Sequence, residues 1–235
     1  MTIPNVRIRS IGSVPIAKAG MSMQNRIMFI TGRKGSGKTT YADKLASGLY
    51  LRGNRVIIVS PMGGFSLAGC ESVTTLEQLV DPKLKDRSFV VLPSDDKLAE
   101  AAFLYAYTCG NAWLFVDEID LYMSAYNCNE SLQKIIRYGR HRRVSLVGIS
   151  QRPANVHRDL TAQADILVMY QTHEPRDVDY LAVRIGKENA ERLRSLPLFK
   201  PLIYMAGSVV SDPMSKGGDE METPRPCDES AVGGD

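Results

Sequence analysis

The feature that most constrains this chain is a glycine-rich segment that directly follows a short apolar run. Residues 26–40 read RIMFITGRKGSGKTT, in which Gly32, Gly37, Lys38 and Thr39 have the spacing G-x-x-x-x-G-K-T. Glycines at these positions let backbone N–H groups turn inward around phosphate oxygens, while the lysine adds a positive charge and the threonine hydroxyl can bind Mg²⁺. Because a strand-like run precedes the segment and a helical pattern follows it, a phosphate-binding loop is favoured over a chance glycine-rich turn.

The predicted nucleotide contacts extend over the whole loop and into the helix that follows it. That helix is predicted over residues 39–50, and the partial positive charge at its N-terminus favours anionic phosphate groups. Lys38 would lie against the β- and γ-phosphates and so also serve in catalysis. We expect ATP to contact Gly32, Arg33, Lys34, Gly35, Ser36, Gly37, Lys38, Thr39 and Thr40.

Apolar runs alternate with helical patterns along most of the chain. Strands are predicted at 27–30, 56–59, 89–92, 113–116, 144–149, 166–170 and 202–205. Helices are predicted at 39–50, 74–80, 97–107, 129–138, 175–185 and 187–196. Continuous apolar runs are typical of parallel strands that are covered on both faces, and alternating elements favour right-handed crossovers. The predicted fold is therefore α/β, a P-loop NTPase of the ASCE/RecA-like type with a mainly parallel central sheet flanked by helices.

The length of 235 residues fits one α/β domain with peripheral segments. We predict an N-terminal arm over 1–24, a P-loop ATPase domain over 25–211 and a disordered acidic tail over 212–235. In the tail, acidic residues outnumber basic ones by seven to two, so the rest of the chain carries a net charge of about +8. A basic folded body is compatible with a polyanionic partner.

Several classes of protein are disfavoured by composition. No apolar run approaches the roughly 18 residues of a membrane span, and the N-terminus lacks a signal-peptide pattern. The four cysteines are scattered without a C-x-x-C pair, and the three histidines lack metal-ligand spacing. These patterns predict a protein without a membrane span or a metal–thiolate site, and with reduced cysteines, located in the cytoplasm.

A second motif lies about 75 residues after the phosphate-binding loop. Residues 112–118 read AWLFVDE, an apolar strand that ends in two carboxylates. We expect Asp117 to hold Mg²⁺ together with Thr39, and Glu118 to orient or deprotonate an attacking water as a general base. Taken alone, the run could equally be a strand leading into a solvated turn. Its pairing with the phosphate-binding loop favours an enzyme that hydrolyses ATP.

Two further segments carry candidate catalytic residues. Gln151 follows the predicted strand 144–149, where its amide could contact the γ-phosphate or simply form a turn before Pro153. The preceding segment 137–143 holds four arginines in seven residues. It is either a solvated basic surface or a basic loop that presents an arginine to a phosphate at a subunit boundary. The residues alone leave both pairs of alternatives open.

Together, these motifs resemble the FtsK–HerA superfamily of ring-forming, DNA-translocating ATPases. The resemblance spans roughly residues 25–206, and its most distinctive part is the segment 138–153, YGRHRRVSLVGISQRP. It implies that Gln151 senses the γ-phosphate. It also implies that Arg140 is an arginine finger, which reaches into a neighbouring active site, with Arg142 and Arg143 as alternatives. The size and the predicted lack of a membrane domain resemble most closely the genome-packaging ATPases of tailless, internal-membrane double-stranded DNA viruses.

The resemblance implies a function and a set of partners. We expect an ATP- and Mg²⁺-dependent motor that forms a homo-oligomeric ring, a hexamer, and moves double-stranded DNA into a viral capsid without sequence preference. A capsid vertex protein would be its docking partner, and it would act in the host cytoplasm or in the virion. The alternatives are a related translocase in DNA transfer, repair or phage extrusion, a small-molecule or nucleoside kinase, and a regulatory ATP-binding switch.

Overall fold

The protein was analysed as a computed structural model, which describes residues 25–205 and 207–211. Its strands are β1 Ile27–Thr31, β2 Val56–Val59, β3 Glu71–Val73, β4 Phe89–Val91, β5 Ala112–Val116, β6 Val144–Ser150, β7 Ile166–Met169, β8 Leu202–Met205 and β9 Ser208–Ser211. Its helices are α1 Lys38–Leu51, α2 Leu76–Leu79, α3 Asp96–Cys109, α4 Glu130–Arg142, α5 Arg158–Gln163, α6 Pro175–Ile185 and α7 Lys187–Arg192. The predicted N-terminal arm and acidic tail lie outside the described residues.

The strands form one sheet in the order β3-β4-β2-β5-β6-β1-β7-β8-β9. Strands β1 to β7 pair in parallel, whereas β8 runs antiparallel to β7 and β9 antiparallel to β8. The predicted mainly parallel sheet is thus confirmed. Because parallel strands share a direction, their carboxyl ends meet at one edge of the sheet, called here the carboxyl edge, and their starts meet at the opposite amino edge.

Apolar side chains of the central strands alternate between two cores, one on each face of the sheet. In β1, Phe29 belongs to the core that also contains residues of helices α3, α4 and α6, whereas Met28 and Ile30 belong to the core that contains residues of α1. Trp113 in β5 is buried in the second core. Coverage of both faces explains why these strands are continuous apolar runs in the sequence.

Each of the seven predicted strands is present, but two strands and one helix were not predicted. Strand β3 is an outermost strand of the sheet. Its residues Glu71 and Ser72 are exposed and only Val73 is buried, so β3 lacks an apolar run. Strand β9 reads SVVS and helix α5 reads RDLTAQ, so each has too few large apolar residues for a pattern to be recognised.

The prediction of a basic loop before Val144 was wrong, because α4 continues through this segment to Arg142. The helix extends because Ile135, Ile136 and Gly139 continue its buried face to the last turn. It ends at Arg143, whose φ of +55° breaks the helical backbone. The arginines therefore project from a helix rather than from a flexible loop.

Within residues 25–205 and 207–211, none of the helices has the length and apolar character that crossing a membrane requires.

Candidate active site

The carboxyl edge brings together the ends of three central strands. Strand β6 lies between β1 and β5, so the segments that follow these strands are adjacent. The phosphate-binding loop leaves β1, Asp117 and Glu118 leave β5, and Gln151 leaves β6. The register pairs Thr31 with Ser150, which places the loop directly beside the residue before Gln151. The sheet therefore collects these predicted residues at one place.

The phosphate-binding loop depends on glycine at its two ends. Gly32 has a φ of +142°, and a Cβ atom at this position would lie 2.5 Å from Cβ of Tyr170. Gly37, at the N-terminus of α1, has a φ of +103°. Neither backbone is accessible to most L-residues, so these glycines let the chain turn closely around a small central space.

Lys38 lies across this loop. Its buried Nζ atom donates hydrogen bonds to the carbonyl oxygens of Gly32, at 2.7 Å, and Arg33, at 2.9 Å. Burial lowers the pKa of Lys38, whereas the carboxylates of Glu118 and Asp117 act in the opposite direction. The ammonium group therefore faces both the loop and the two carboxylates, a position suited to an anion bound between them.

The remaining loop residues divide into buried and exposed groups. The Ser36 side chain is buried, and its hydroxyl oxygen has no hydrogen-bond partner among residues 25–205 and 207–211. A buried hydroxyl without a partner is unfavourable, and an oxyanion in the loop would supply an acceptor. Five others are more accessible: Thr39 is half-buried, and Arg33, Lys34, Gly35 and Thr40 are exposed.

Asp117 is a buried carboxylate at the end of β5. Its Oδ1 accepts a hydrogen bond from the backbone N–H of Glu118 at 3.1 Å. Burial raises the pKa of Asp117 to about 6, with a further contribution from Glu118, while Lys38 and the hydroxyl of Ser60 act against this rise. A nearby cation would stabilise the ionised form of this carboxylate.

Thr39 and Asp117 flank the same space beneath Gly64. A Cβ atom on Gly64 would lie 3.7 Å from Cγ2 of Thr39 and 3.9 Å from Oδ2 of Asp117. One hydroxyl and one carboxylate fit Mg²⁺, which prefers oxygen ligands and takes most of its remaining ligands from water and phosphate. No cluster of three or more His, Cys, Asp or Glu side chains suited to a metal occurs in the described part of the chain.

Glu118 and Gln151 contact each other directly. The Nε2 atom of Gln151 donates a hydrogen bond to Oε1 of Glu118 at 2.6 Å. Glu118 adopts a left-handed backbone conformation with a φ of +46°, which is uncommon for a residue other than glycine. The two residues predicted to act at the γ-phosphate therefore form one polar pair within the same site.

Sequence reasoning missed two residues of this site. Ser60 directly follows β2 and is fully buried. Its hydroxyl oxygen accepts a hydrogen bond from the Gly64 N–H at 3.2 Å, and the hydroxyl also contacts Asp117. Gly64 covers the space between Thr39 and Asp117. A serine directly after the apolar run 56–59 is the signal that could have identified Ser60, since strand ends meet at this edge.

Arg140 does not lie near the other predicted catalytic residues. It belongs to the last turn of α4, and its Nη2 atom is 3.7 Å from Oδ1 of Asp165, the residue before β7. This pair lies at the amino edge, and the seven residues of β6 separate that edge from Gln151 by about 20 Å. In this conformation, Arg140 cannot reach the phosphate-binding loop of the same chain.

The neighbouring arginines occupy the same edge. Arg137 pairs with Asp159 at 3.2 Å, and the guanidinium of Arg142 lies 5.6 Å from the centre of the Tyr107 ring. Arg143 is exposed in the connection to β6. The side chain of Arg140 is 75% exposed despite its ion pair, so it remains accessible to a neighbouring molecule.

Comparison with protein-family models gives one match. Residues 8–79 match the DNA-binding domain of type IV secretion-system coupling proteins. The matched segment includes the phosphate-binding loop, α1 and β2. No curated protein matches the sequence significantly.

Several solved structures share the fold. The genome-packaging NTPase B204 from Sulfolobus turreted icosahedral virus 2, in complex with AMPPCP, is 24% identical with a TM-score of 0.66, over 78% of this chain and 95% of B204. VirB4 of Thermoanaerobacter pseudethanolicus is 12% identical with a TM-score of 0.60, over 78% of this chain and 87% of VirB4. The conjugation coupling protein TcpA of pCW3, with ATPγS, is 14% identical with a TM-score of 0.55, over 79% of this chain and 59% of TcpA.

These likenesses confirm the predicted fold of a P-loop NTPase. The described strand order agrees with the prediction of an ASCE-type sheet, because the strand carrying Gln151 lies between the strands carrying the phosphate-binding loop and Glu118.

Proposed function

We propose that this chain is an ATPase that forms a homo-oligomeric ring and moves double-stranded DNA. The observation that carries the proposal is the assembly of Lys38, Asp117, Glu118 and Gln151 at the carboxyl edge of a P-loop sheet. A phosphate site, a cation site and a general base in one place are what ATP hydrolysis requires.

ATP would be bound mainly through its phosphates. The backbone N–H groups of residues 32–40 would surround them, and the Ser36 hydroxyl would gain the acceptor that it lacks among the described residues. Lys38 would exchange the carbonyl oxygens of Gly32 and Arg33 for the β- and γ-phosphates, which are stronger acceptors because they are charged.

Mg²⁺ would be held by Thr39 and Asp117, and when bound it neutralises charge that develops on the phosphates. Occupation of this space would keep Asp117 ionised despite its burial. Gly64 would allow the cation and its water ligands to fit, because a larger residue would project toward the space that Thr39 and Asp117 share.

The pair formed by Gln151 and Glu118 would control hydrolysis. In the structure, the amide of Gln151 donates to the carboxylate of Glu118. A γ-phosphate beside the pair would compete as a charged acceptor for this amide. Glu118 would then be free to accept a proton from the attacking water, whose oxygen forms the new bond to phosphorus as the bond to ADP breaks.

Arg140 would complete the active site of a neighbouring subunit. Its position at the amino edge, about 20 Å from its own phosphate-binding loop, supports action in trans rather than in cis. A ring, which we propose to be a hexamer, would bring the amino edge of one copy to the carboxyl edge of the next. An arginine in this role stabilises charge on the γ-phosphate in the transition state.

DNA would be gripped through its phosphates. The chain outside residues 212–235 carries a net charge of about +8, which favours sequence-independent and salt-sensitive binding. We further propose that the task is genome packaging into a viral capsid, with a capsid vertex protein as docking partner and action in the host cytoplasm or the virion. The extent of similarity to the packaging NTPase B204 supports this assignment.

DNA transfer between cells is the second candidate task. It is favoured by the match of residues 8–79 to the DNA-binding domain of secretion-system coupling proteins and by the likeness to TcpA. Both tasks use the same ATP-driven motor, so they share the tests of the active site.

The test of the motor measures phosphate release with and without double-stranded DNA of two unrelated sequences. We expect both DNAs to stimulate ATP hydrolysis equally, and ATP to drive displacement of a third strand from a triplex. Glu118→Gln serves as the inactive control. Turnover that requires a small-molecule phosphoryl acceptor would instead identify a kinase, and tight nucleotide binding with negligible turnover would identify a regulatory switch.

A further inference from the structure

The segment before β8 brings an exposed aromatic residue to the active-site edge. Strand β8 runs antiparallel to β7, so it begins where β7 ends, and the register pairs Leu202 with Met169. Residues 197–200 are all exposed, whereas Leu196 and Leu202 on either side are buried. This short segment is thereby anchored at the carboxyl edge, with Phe199 within it.

Phe199 lies against the end of the phosphate-binding loop. A Cβ atom on Gly37 would be 3.1 Å from Cδ1 of Phe199 and 3.7 Å from its Cα atom, with Cε1 of Tyr170 at 3.6 Å. The aromatic ring therefore stands immediately beside the residue that precedes Lys38. Replacement of Gly37 by a larger residue would press directly on this ring.

The conformation of Phe199 is unusual for an apolar residue. It is 67% exposed and has a φ of +64°, a backbone region that bulky side chains rarely adopt. Exposure of such a large apolar surface is unfavourable in water, and the neighbouring Tyr170, which is buried, leaves most of the Phe199 ring uncovered. A flat ligand placed on the ring would remove that surface from water.

The strand order indicates which part of ATP would meet this ring. Strands β6 and β5, after which Gln151 and Glu118 follow, lie on one side of β1, whereas β7 and β8 lie on the other. Because Glu118 and Gln151 would act at the γ-phosphate, the nucleoside end of ATP must leave the loop on the opposite side. That is the side on which Phe199 lies.

We propose that Phe199 is a stacking surface for the base of the nucleotide bound in the phosphate-binding loop. The inference rests on the ATP site of the proposed function and adds the contact that holds its base. Every base has a π-face, so stacking alone adds affinity without selecting a particular base. We therefore expect Phe199 to contribute similarly to the binding of ATP and GTP.

The test compares Phe199→Ala with Leu198→Ala, a neighbour on the same segment that is 49% exposed. Calorimetry measures the binding of a non-hydrolysable ATP analogue and of tripolyphosphate, which lacks the base. We expect Phe199→Ala to weaken analogue binding about tenfold and to leave tripolyphosphate binding unchanged. Leu198→Ala should change neither, and Phe199→Tyr should restore analogue binding.

Other outcomes of this comparison would overturn the inference. Equal affinity of Phe199→Ala and the unmodified protein for the analogue would show that the ring makes no contact with the base. An equal loss for the analogue and tripolyphosphate would show that Phe199 merely supports Gly37. If the unmodified protein bound neither ligand, the ATP site itself would be wrong, which separates failure of the proposed function from failure of this inference.

A fluorescence measurement provides an independent readout. The chain has a single tryptophan, Trp113, which is buried in β5 and contributes a constant background. In Phe199→Trp, the ATP analogue should quench the new emission by stacking, whereas tripolyphosphate should not. Quenching by both ligands, or by neither, would contradict base stacking.

Discussion

The two edges of the sheet differ in how their charged residues are held. At the carboxyl edge, Lys38 and Asp117 are buried, and Gln151 holds Glu118 at 2.6 Å. At the amino edge, Arg140 is 75% exposed and meets Asp165 only at 3.7 Å. Buried polar groups that are hydrogen-bonded to one another are held in one geometry, whereas exposed ion pairs contribute little to stability and readily change partners. The carboxyl edge is therefore preorganised as a site, whereas the amino edge is available to a partner.

The carboxyl and amino edges are also far apart. About 20 Å separates them within one subunit, so their residues can act on one nucleotide only across a contact between two copies. The experiments below either separate the roles of the two edges or show that the separation is wrong.

Loss of the loop cation should have the largest effect. Lys38→Ala removes the ammonium group that lies between the loop carbonyls and the two carboxylates, so we expect ATP binding to be abolished. Lys44→Ala, an exposed position on the same helix, is the control and should bind normally. Calorimetric titration with ATP measures both. Unchanged affinity in Lys38→Ala would remove the basis for placing the phosphates at the carboxyl edge.

Replacement of the proposed base should separate binding from hydrolysis. In Glu118→Gln, the amide cannot accept a proton from water, so turnover should fall roughly 10³-fold while ATP binding is retained. Glu130→Gln changes an exposed carboxylate at the start of α4 and should be neutral. Steady-state phosphate release and nucleotide affinity are measured together. Near-normal hydrolysis by Glu118→Gln would mean that Glu118 is not the base.

Removal of the amide that contacts this base should have a smaller effect. Gln151→Ala loses the proposed contact to the γ-phosphate, and we expect about a 10²-fold decrease in kcat with little change in ATP affinity. Gln163→Ala removes the same amide from an exposed position near the amino edge. If Gln151→Ala and Gln163→Ala had the same kcat, the pairing of Gln151 with Glu118 would have no role in catalysis.

The smallest effect is expected from the acidic partner of Arg140. Asp165→Asn keeps an oxygen that can accept from the Ile27 N–H, now at 2.9 Å, but removes the charge that faces Arg140 at 3.7 Å and Arg26 at 3.2 Å. Because exposed ion pairs contribute about 0–1 kcal/mol, turnover should change by no more than about fivefold. Asp159→Asn, which removes the partner of Arg137, is the matched control. A much larger decrease specific to Asp165→Asn would show that the amino edge is preorganised after all.

The fold was largely predictable because its central strands are buried on both faces. Continuous apolar runs such as 56–59 and 113–116 have few alternatives, and each forms a strand of the sheet. Edge strand β3 escaped prediction because only Val73 is buried. The last turns of α4 were mistaken for a loop because arginines dominate residues 137–143, although Ile135, Ile136 and Gly139 maintain the buried face.

The site was predictable where a motif fixes the spacing, and less so where residues meet only through the sheet. The loop motif located Lys38 and Thr39 directly. By contrast, the Ser60–Asp117 contact joins the ends of two strands that are far apart in sequence, and Phe199 meets Gly37 because the segment before β8 lies at the carboxyl edge. Only the strand order reveals such contacts, and it cannot be read from local patterns.

The proposed mechanism depends most on Arg140 acting on the nucleotide of a neighbouring subunit. Arg140→Ala should bind ATP nearly normally, because its own loop is intact, but should turn over very slowly. Arg142→Ala and Arg143→Ala test the two alternative fingers on the same edge and should remain active. These single variants establish which arginine matters, but not in which subunit it acts.

Mixing two inactive variants gives the most direct measurement. In rings formed from Arg140→Ala and Glu118→Gln subunits, some interfaces combine the intact Glu118 of one copy with the intact Arg140 of the other. ATP turnover is measured across mixing ratios, and formation of mixed rings is verified with differently labelled subunits. We predict that the mixture recovers part of the activity that neither variant has alone. Mixed rings that form but restore no activity would contradict an active site shared between the two edges.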